Sequence, residues 1–370
     1  MARTYTPLRS TRKRPSNQTT YVVPTLLLLT FFAVVSMLVN KLAPVQGEHL
    51  EFSTVPGYFL QDDPKTISHG FDFKNTNFGL INRAYDADAD TSHPALLKTQ
   101  WQRFEAEIMR LNSQSESTTR FSLLYMGRHG QGYHNLAESR YGTKAWDCYW
   151  SLQDGDEHGT WRDAELTSVG ISQAESARDF WATMIEKEKI PVPQSYYVSP
   201  LIRCLQTAWY TFTGIDLPPE RPFKPIIKEL IRECIGVHTC DERSSRTIIE
   251  AKYSNWTIEE GFTENDELWS PTLRETDDAM DQRLRAALED IFSHDNQTFI
   301  SITAHSGMIA SALRVLGHRD FSLDTGQAIP VLVRIDRVPG ALPPVKKAAW
   351  FAPETCLEPP KPANLVKNEK

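Results

Sequence analysis

Cysteine is scarce in this 370-residue chain: Cys148, Cys204, Cys234, Cys240 and Cys356 are all there are, and none forms a Cys-x-x-Cys pair. A structural zinc site therefore has little to stand on. In an oxidising lumen Cys234 and Cys240 could pair, and burial as reduced thiols suits them equally. Acidic residues are absent from positions 1–41, which hold six of the 40 Lys and Arg (Arg3, Arg9, Arg12, Lys13, Arg14, Lys41). The remainder thus carries 34 basic against 47 acidic residues, a net of −13, and so acidic a body argues against a general nucleic-acid surface. There is no internal repeat. At 40% apolar and 24% charged residues, the chain is otherwise ordinary globular protein, long enough for one large domain or two smaller ones.

One long apolar run is present. Tyr21 to Val39 holds 19 residues without a charge, enough to span a hydrocarbon core of about 30 Å at about 1.5 Å per residue. Five basic residues precede it and Lys41 alone follows closely. That asymmetry predicts a single membrane-spanning signal-anchor with a cytosolic basic tail (1–20) and the body lumenal or extracellular. The competing expectation is a signal peptide cleaved after Gly47, giving a secreted body. Sequons at Asn255-Trp-Thr and Asn296-Gln-Thr would be usable in a lumen.

Beyond the run, residues 40–93 are mixed in character and are expected as a stalk and irregular segment. A domain is expected over 94–340 and an irregular tail over 341–370. Leu97, Trp101, Phe104, Ile108 and Leu111 recur at helical spacing. Strands are expected at 121–126, 195–198, 225–231, 298–303 and 331–335. Helices are expected after Thr167 or Ser168 to about Glu186, from 199 or so, around Leu284–Ile291, and from 306 to Leu316. Strands alternating with helices predict an α/β fold of three layers, α/β/α, on a largely parallel sheet. The intervals 136–162 and 237–278 are too long for simple connections and read as walls or lids.

Three of the expected strands end in residues that carry chemistry: Arg128-His129-Gly130, Ser199-Pro200-Leu-Ile-Arg203 and Ala304-His305-Ser306-Gly307. In a parallel sheet such ends share one edge, where ligands bind. Two histidines 176 positions apart and two arginines then converge. Guanidinium forks match phosphate oxygens, and helix N-termini after 199 and 306 add N–H donors aimed at an anion. A neutral imidazole in that field is a nucleophile toward phosphorus. His129, His134 and His305 do not suggest a metal centre, since no carboxylate sits at ligand spacing and arginine repels a cation.

These blocks, with Asp163-Ala-Glu-Leu-Thr167-Ser-Val-Gly170-Ile-Ser-Gln173-Ala174 and Leu230-Ile-Arg232-Glu233-Cys-Ile-Gly236, resemble the histidine phosphatase superfamily, which includes phosphoglycerate mutases. The likeness covers roughly 120–335 and is nearest the fungal phosphomutase-like branch. It implies a phosphoglycerate mutase-like fold and no cofactor. It implies that His129 takes the phosphoryl group, that Arg128, Arg203 and His305 bind it, and that Asn135 and Ser306 line its pocket. Glu233 would be the general acid, with Glu229, Glu242 and Asp163 as alternatives nearby. Many mutases have Ser where Gly132 stands and Trp where His134 stands.

The expectation is therefore a membrane-anchored hydrolase of small-molecule phosphomonoesters that works through phosphohistidine. The alternatives are a mutase with the same site and a non-catalytic binding module on the same fold. His134 and His158 could assist the site, although structural or surface roles suit them better, and Cys204 reads as a buried small residue. Asp241 and Arg243 would contact substrate or orient Glu233.

Overall fold

The computed structural model describes residues 47–89, 98–342, 344 and 346–360. The apolar run at 21–39, the tail before it and Leu97 lie outside the described residues. Among those described, no helix is long and apolar enough to cross a membrane.

Among the described residues there are nine strands: β1 (Glu48–Thr54), β2 (Thr119–Arg128), β3 (Gly155–Asp156), β4 (Gly159–Thr160), β5 (Ser195–Val198), β6 (Pro225–Ile227), β7 (Thr257–Ile258), β8 (Phe299–Ala304) and β9 (Ala328–Pro339). Seven form one sheet in the order β1-β9-β2-β8-β5-β6-β7, while β3 and β4 make a small hairpin. From β2 to β7 all pairings are parallel; β9 runs antiparallel to both β2 and β1.

The expected largely parallel sheet is there, with an antiparallel edge that the sequence reading lacked. Residues 48–54, expected within the stalk, supply the outermost strand: Leu50 and Phe52 face inward between polar neighbours, and the partner strand is nearly 300 residues away. The strand expected over 225–231 is shorter, because Glu229–Ile231 turns into a single 3-10 coil.

The helices are α1 (Gln100–Gln114), α2 (Tyr133–Tyr141), α3 (Thr143–Cys148), α4 (Ser168–Thr183), α5 (Ile202–Phe212), α6 (Arg246–Lys252), α7 (Asp277–His294) and α8 (Ser306–Val315). Side-chain caps set several of their starts. Thr99 caps α1 reciprocally with Gln102, the Thr167 hydroxyl accepts the Gly170 N–H at α4, and Thr276 accepts that of Ala279 at α7.

Period-two alternation splits the sheet's side chains between two cores. Leu124, Met126, Ile300 and Ile302 meet Leu284, Leu288, Met308 and Leu313 of α7 and α8. Leu123, Tyr125 and Phe299 meet Trp101 and Phe104 of α1, Trp181 of α4 and Phe212 of α5. The result is three layers. Leu124 is fully buried, so Leu124→Ala should cost about 2–5 kcal/mol.

Register brings the chemical strand ends level. Arg128 pairs with Ala304, and Val198 with Thr303, so His129, Ser199 and His305 emerge side by side. The turn after His129 passes so close to the first turn of α4 that a β-carbon on Gly130 would collide with the Gly170 carbonyl. Glycine at both positions permits the crossing.

The expected wall at 136–162 is not a loop but α2, α3 and the β3–β4 hairpin. It is tied to the C-terminal tail by a disulfide between Cys148 and Cys356. Cys234 and Cys240 are free thiols, so of the two options left open for them it is the reduced one that the fold adopts.

Candidate active site

His129 is held from three sides. Its N–H donates to Ala304 O at 2.9 Å, its carbonyl accepts from Gly326 at 2.9 Å, and the next N–H, of Gly130, donates to the Thr207 hydroxyl of α5 at 3.0 Å. The ring Nδ1 lies 2.7 Å from the Gly130 carbonyl. A carbonyl can only accept, so Nδ1 carries the proton and Nε2 presents a lone pair. Burial, then the Arg203 and Arg128 guanidinium groups, push this imidazole's pKa well below its usual value. It stays neutral, which a nucleophile needs.

His305 stands T-shaped to His129, ring centroids 5.2 Å apart. Arg203 Nε donates to its Nδ1 at 3.3 Å, so its proton is on Nε2, which donates to the Ser199 hydroxyl at 2.7 Å. Burial and then Arg203 depress its pKa as well. Arg203 is fully buried on α5. Its Nη1 donates to Cys240 O at 2.5 Å and its Nη2 pairs with Asp241 at 2.9 Å. Arg128 gives Nη1 to Leu323 O at 2.7 Å, while its buried Nε has no hydrogen-bond partner. Burial lowers its pKa, with Glu233 and then Asp324 opposing. The two guanidinium groups, two imidazoles and the α8 N-terminus surround one small volume with positive potential, suited to a dianionic oxygen cluster.

The four candidate carboxylates differ in their partners. Glu229 lies between Arg232 at 2.8 Å and Arg243 at 2.8 Å; Glu242 pairs with Arg162 at 2.7 Å; the oxygens of Asp163 accept the N–H groups of Ile202 and Ser244. Glu233 alone of the four meets the histidine strand end, accepting the Gly307 N–H of α8 at 3.1 Å. Asp241 holds Arg203 and lies 3.5 Å from Arg274, and so orients an arginine rather than Glu233. Arg243 is occupied by Glu229 and lies over the Phe262 ring at 4.0 Å, away from both roles proposed for it.

Asn135 turns back, its Oδ1 accepting the Gly132 N–H at 3.0 Å at the start of α2. Ser306 is the first residue of α8, directly after His305. His158 is half exposed beside Glu157. His134, by contrast, is buried next to His129, ring centroids 5.3 Å apart. Sequence reasoning left His134 between assisting the site and a structural place, and the fold sets its ring against the nucleophile's. The same reasoning missed Ser199 as the partner of His305 for want of any spacing rule.

His238, Cys240 and Asp241 offer metal-ligand atoms within 4.8 Å of one another. The set does not fit a cation: the carboxylate already faces Arg203 and Arg274, and burial holds the Cys240 thiol protonated.

The family model of the histidine phosphatase superfamily (branch 1) matches residues 124–329, the interval that contains every site residue above. A protein of Arthroderma benhamiae described as a probable phosphoglycerate mutase is 56% identical over 287 residues, spanning 78% of this chain and 85% of that one. A probable phosphoglycerate mutase of Saccharomyces cerevisiae is 35% identical over 77% of this chain and 97% of its own length. Phosphomutase-like protein 3 of Candida albicans is also 35% identical, over 77% of this chain and 81% of its own.

Proposed function

The chain belongs to the histidine phosphatase superfamily, and from that premise we propose that it hydrolyses small-molecule phosphomonoesters through a phosphohistidine on His129. The observation that carries the reading is the hydrogen bond from His129 Nδ1 to Gly130 O, which leaves Nε2 unprotonated between two arginines. Arg128 and Arg203 bind the phosphoryl oxygens, and His305 joins them when its Nε2–H exchanges the Ser199 hydroxyl for one of those oxygens; Asn135 and Ser306 line the pocket. The Nε2 lone pair forms a bond to phosphorus as the bond to the leaving oxygen breaks, and Glu233 gives that oxygen a proton. The Gly130 carbonyl steadies the positive charge that the ring acquires. Water then attacks phosphorus, giving a proton to Glu233, and the N–P electron pair returns to Nε2. Inorganic phosphate leaves.

The names of the fungal relatives favour a second reading, in which the phosphoryl group returns to the organic product, as in a mutase. One experiment addresses both. Reactions with labelled phosphomonoester, quenched in alkaline detergent, should leave acid-labile, base-stable label on the protein, with inorganic phosphate as product. Label persisting in His129→Ala would overturn the nucleophile; isomerised ester without phosphate release would favour the mutase.

The body further belongs, in this proposal, on the lumenal or extracellular side of a membrane, anchored through residues 21–39. The Cys148–Cys356 disulfide supports an oxidising compartment. The exposed asparagines of both sequons, Asn255 and Asn296, are accessible to glycosylation there. Protease protection in intact vesicles tests the assignment, and digestion from the cytosolic face would reverse it. Recovery of a chain starting after Gly47 in the medium would replace the anchor by a cleaved signal.

A further inference from the structure

Three imidazoles meet at the site, and the mechanism above uses two. His134, second residue of α2, retains 9% exposure, and its ring is tilted 54° to that of His129 at 5.3 Å. Its Nδ1 is buried without a hydrogen-bond partner. That edge of the ring is packed on Gly132, where an added β-carbon would lie 2.6 Å from Nδ1. Burial and then the Arg203 guanidinium keep the ring neutral, with its pKa well below the usual value. A neutral imidazole carries one proton. On Nδ1 it would be a sealed N–H with no acceptor, the rarer of the two unsatisfied states in folded proteins. On Nε2 the buried orphan is a lone pair, and the N–H sits on the ring's other polar atom.

We infer that His134 is a further ligand of the transferring phosphoryl group, donating an Nε2–H hydrogen bond to one of its oxygens beside His129. The inference rests on the phosphohistidine reading for its place in the reaction, but not for the contact itself. A purely packing role would be met by a carbocyclic ring, which would leave no nitrogen unsatisfied at this spot. A neutral donor also tightens the hold on the equatorial oxygens without adding a third full positive charge, so product phosphate can still leave.

The test compares His134→Phe, which keeps a ring and removes the donor, with His134→Gln, which restores an N–H. The probe is orthovanadate, a mimic of five-coordinate phosphorus, with binding measured by calorimetry alongside turnover. His134→Phe should weaken vanadate binding and lower kcat in parallel, by about 10²-fold as for loss of one preorganised donor. His134→Gln should recover about tenfold of each, although the two variants unfold at similar urea concentrations. Unchanged vanadate affinity in His134→Phe would overturn the inference. So would a glutamine variant no better than phenylalanine at equal stability. If wild type forms no phosphohistidine yet loses vanadate in the Phe variant and regains it in Gln, the proposed reaction fails and the His134 contact stands.

Discussion

Glu233 fills the space that a side chain at Gly307 would need: Oε2 accepts the Gly307 N–H at 3.1 Å, and a β-carbon there would overlap Oε1. Gly307→Ala should therefore displace the carboxylate, which is the far end of a flexible side chain, with little effect on stability. Turnover of an alkyl phosphate should fall about 100-fold while an activated aryl phosphate loses less than about fivefold, since only the poor leaving group needs the proton. Glu233→Gln should show the same split. Equal losses on both substrates in steady-state assays would remove Glu233 from the acid role.

Four buried histidines, His129, His134, His305 and His238, have pKa values below the ordinary 6.5, with burial the leading cause; for His238 the value is about 4. The unfolded chain then binds protons that the folded chain refuses. Their contribution to stability is complete above about pH 6.5 and is lost as pH falls toward the folded values, by about 1.4 kcal/mol per pH unit for each group. Urea midpoints should drop steadily from pH 6.5 to 4.5. His238→Asn should flatten that slope by about one proton. A flat profile would show that these rings are not held neutral.

Asp241 is buried between Arg203 and Arg274, at 2.9 and 3.5 Å. Asp241→Asn removes the charge that balances both. The expected loss is about 3 kcal/mol, as for other broken buried pairs. Inorganic phosphate should also inhibit more weakly, because Arg203 would lose the anchor that aligns its Nε with His305. Thermal denaturation and phosphate inhibition measure the two effects, and full retention of both would deny Asp241 this part.

The Cys148–Cys356 bond closes a loop with a sequence separation of 208. Chain entropy alone places its contribution at up to about 5 kcal/mol. Cys148→Ser should lower Tm in non-reducing buffer and leave the protein insensitive to dithiothreitol. Limited proteolysis should then cut within 340–360, where Phe351 pairs with Arg274 and the Cys356 N–H donates to Cys148 O. Equal melting of wild type and variant in non-reducing buffer would mean that the thiols are not joined.

Much of the site was legible because its chemistry lies at strand ends. Arg128, His129, Arg203 and His305 each follow or adjoin a short apolar run, and parallel topology places such ends on one edge. Glu233 was harder, since Glu229 and Glu242 lie close by in sequence and Asp163 stands in another block; what distinguishes the four is their arginine and backbone partners. The strand at Glu48–Thr54 was illegible because two apolar residues among polar ones make a weak alternation, and Val331–Ile335 was longer than its apolar kernel for a similar reason. The disulfide depended on two positions meeting in space that no local pattern relates.

The strand order has a consequence for how the chain is made. Both neighbours of β2 are β8 and β9, from the last quarter of the chain. At about 5–20 residues per second, His305 leaves the ribosome roughly 10 to 35 s after His129. For that interval β2, whose residues 121–126 are all buried in the finished sheet, has neither flank paired, and no catalytic centre can exist. Synthesis, rather than the finished fold, is then the stage at which this chain is most open to joining strands with another copy of itself.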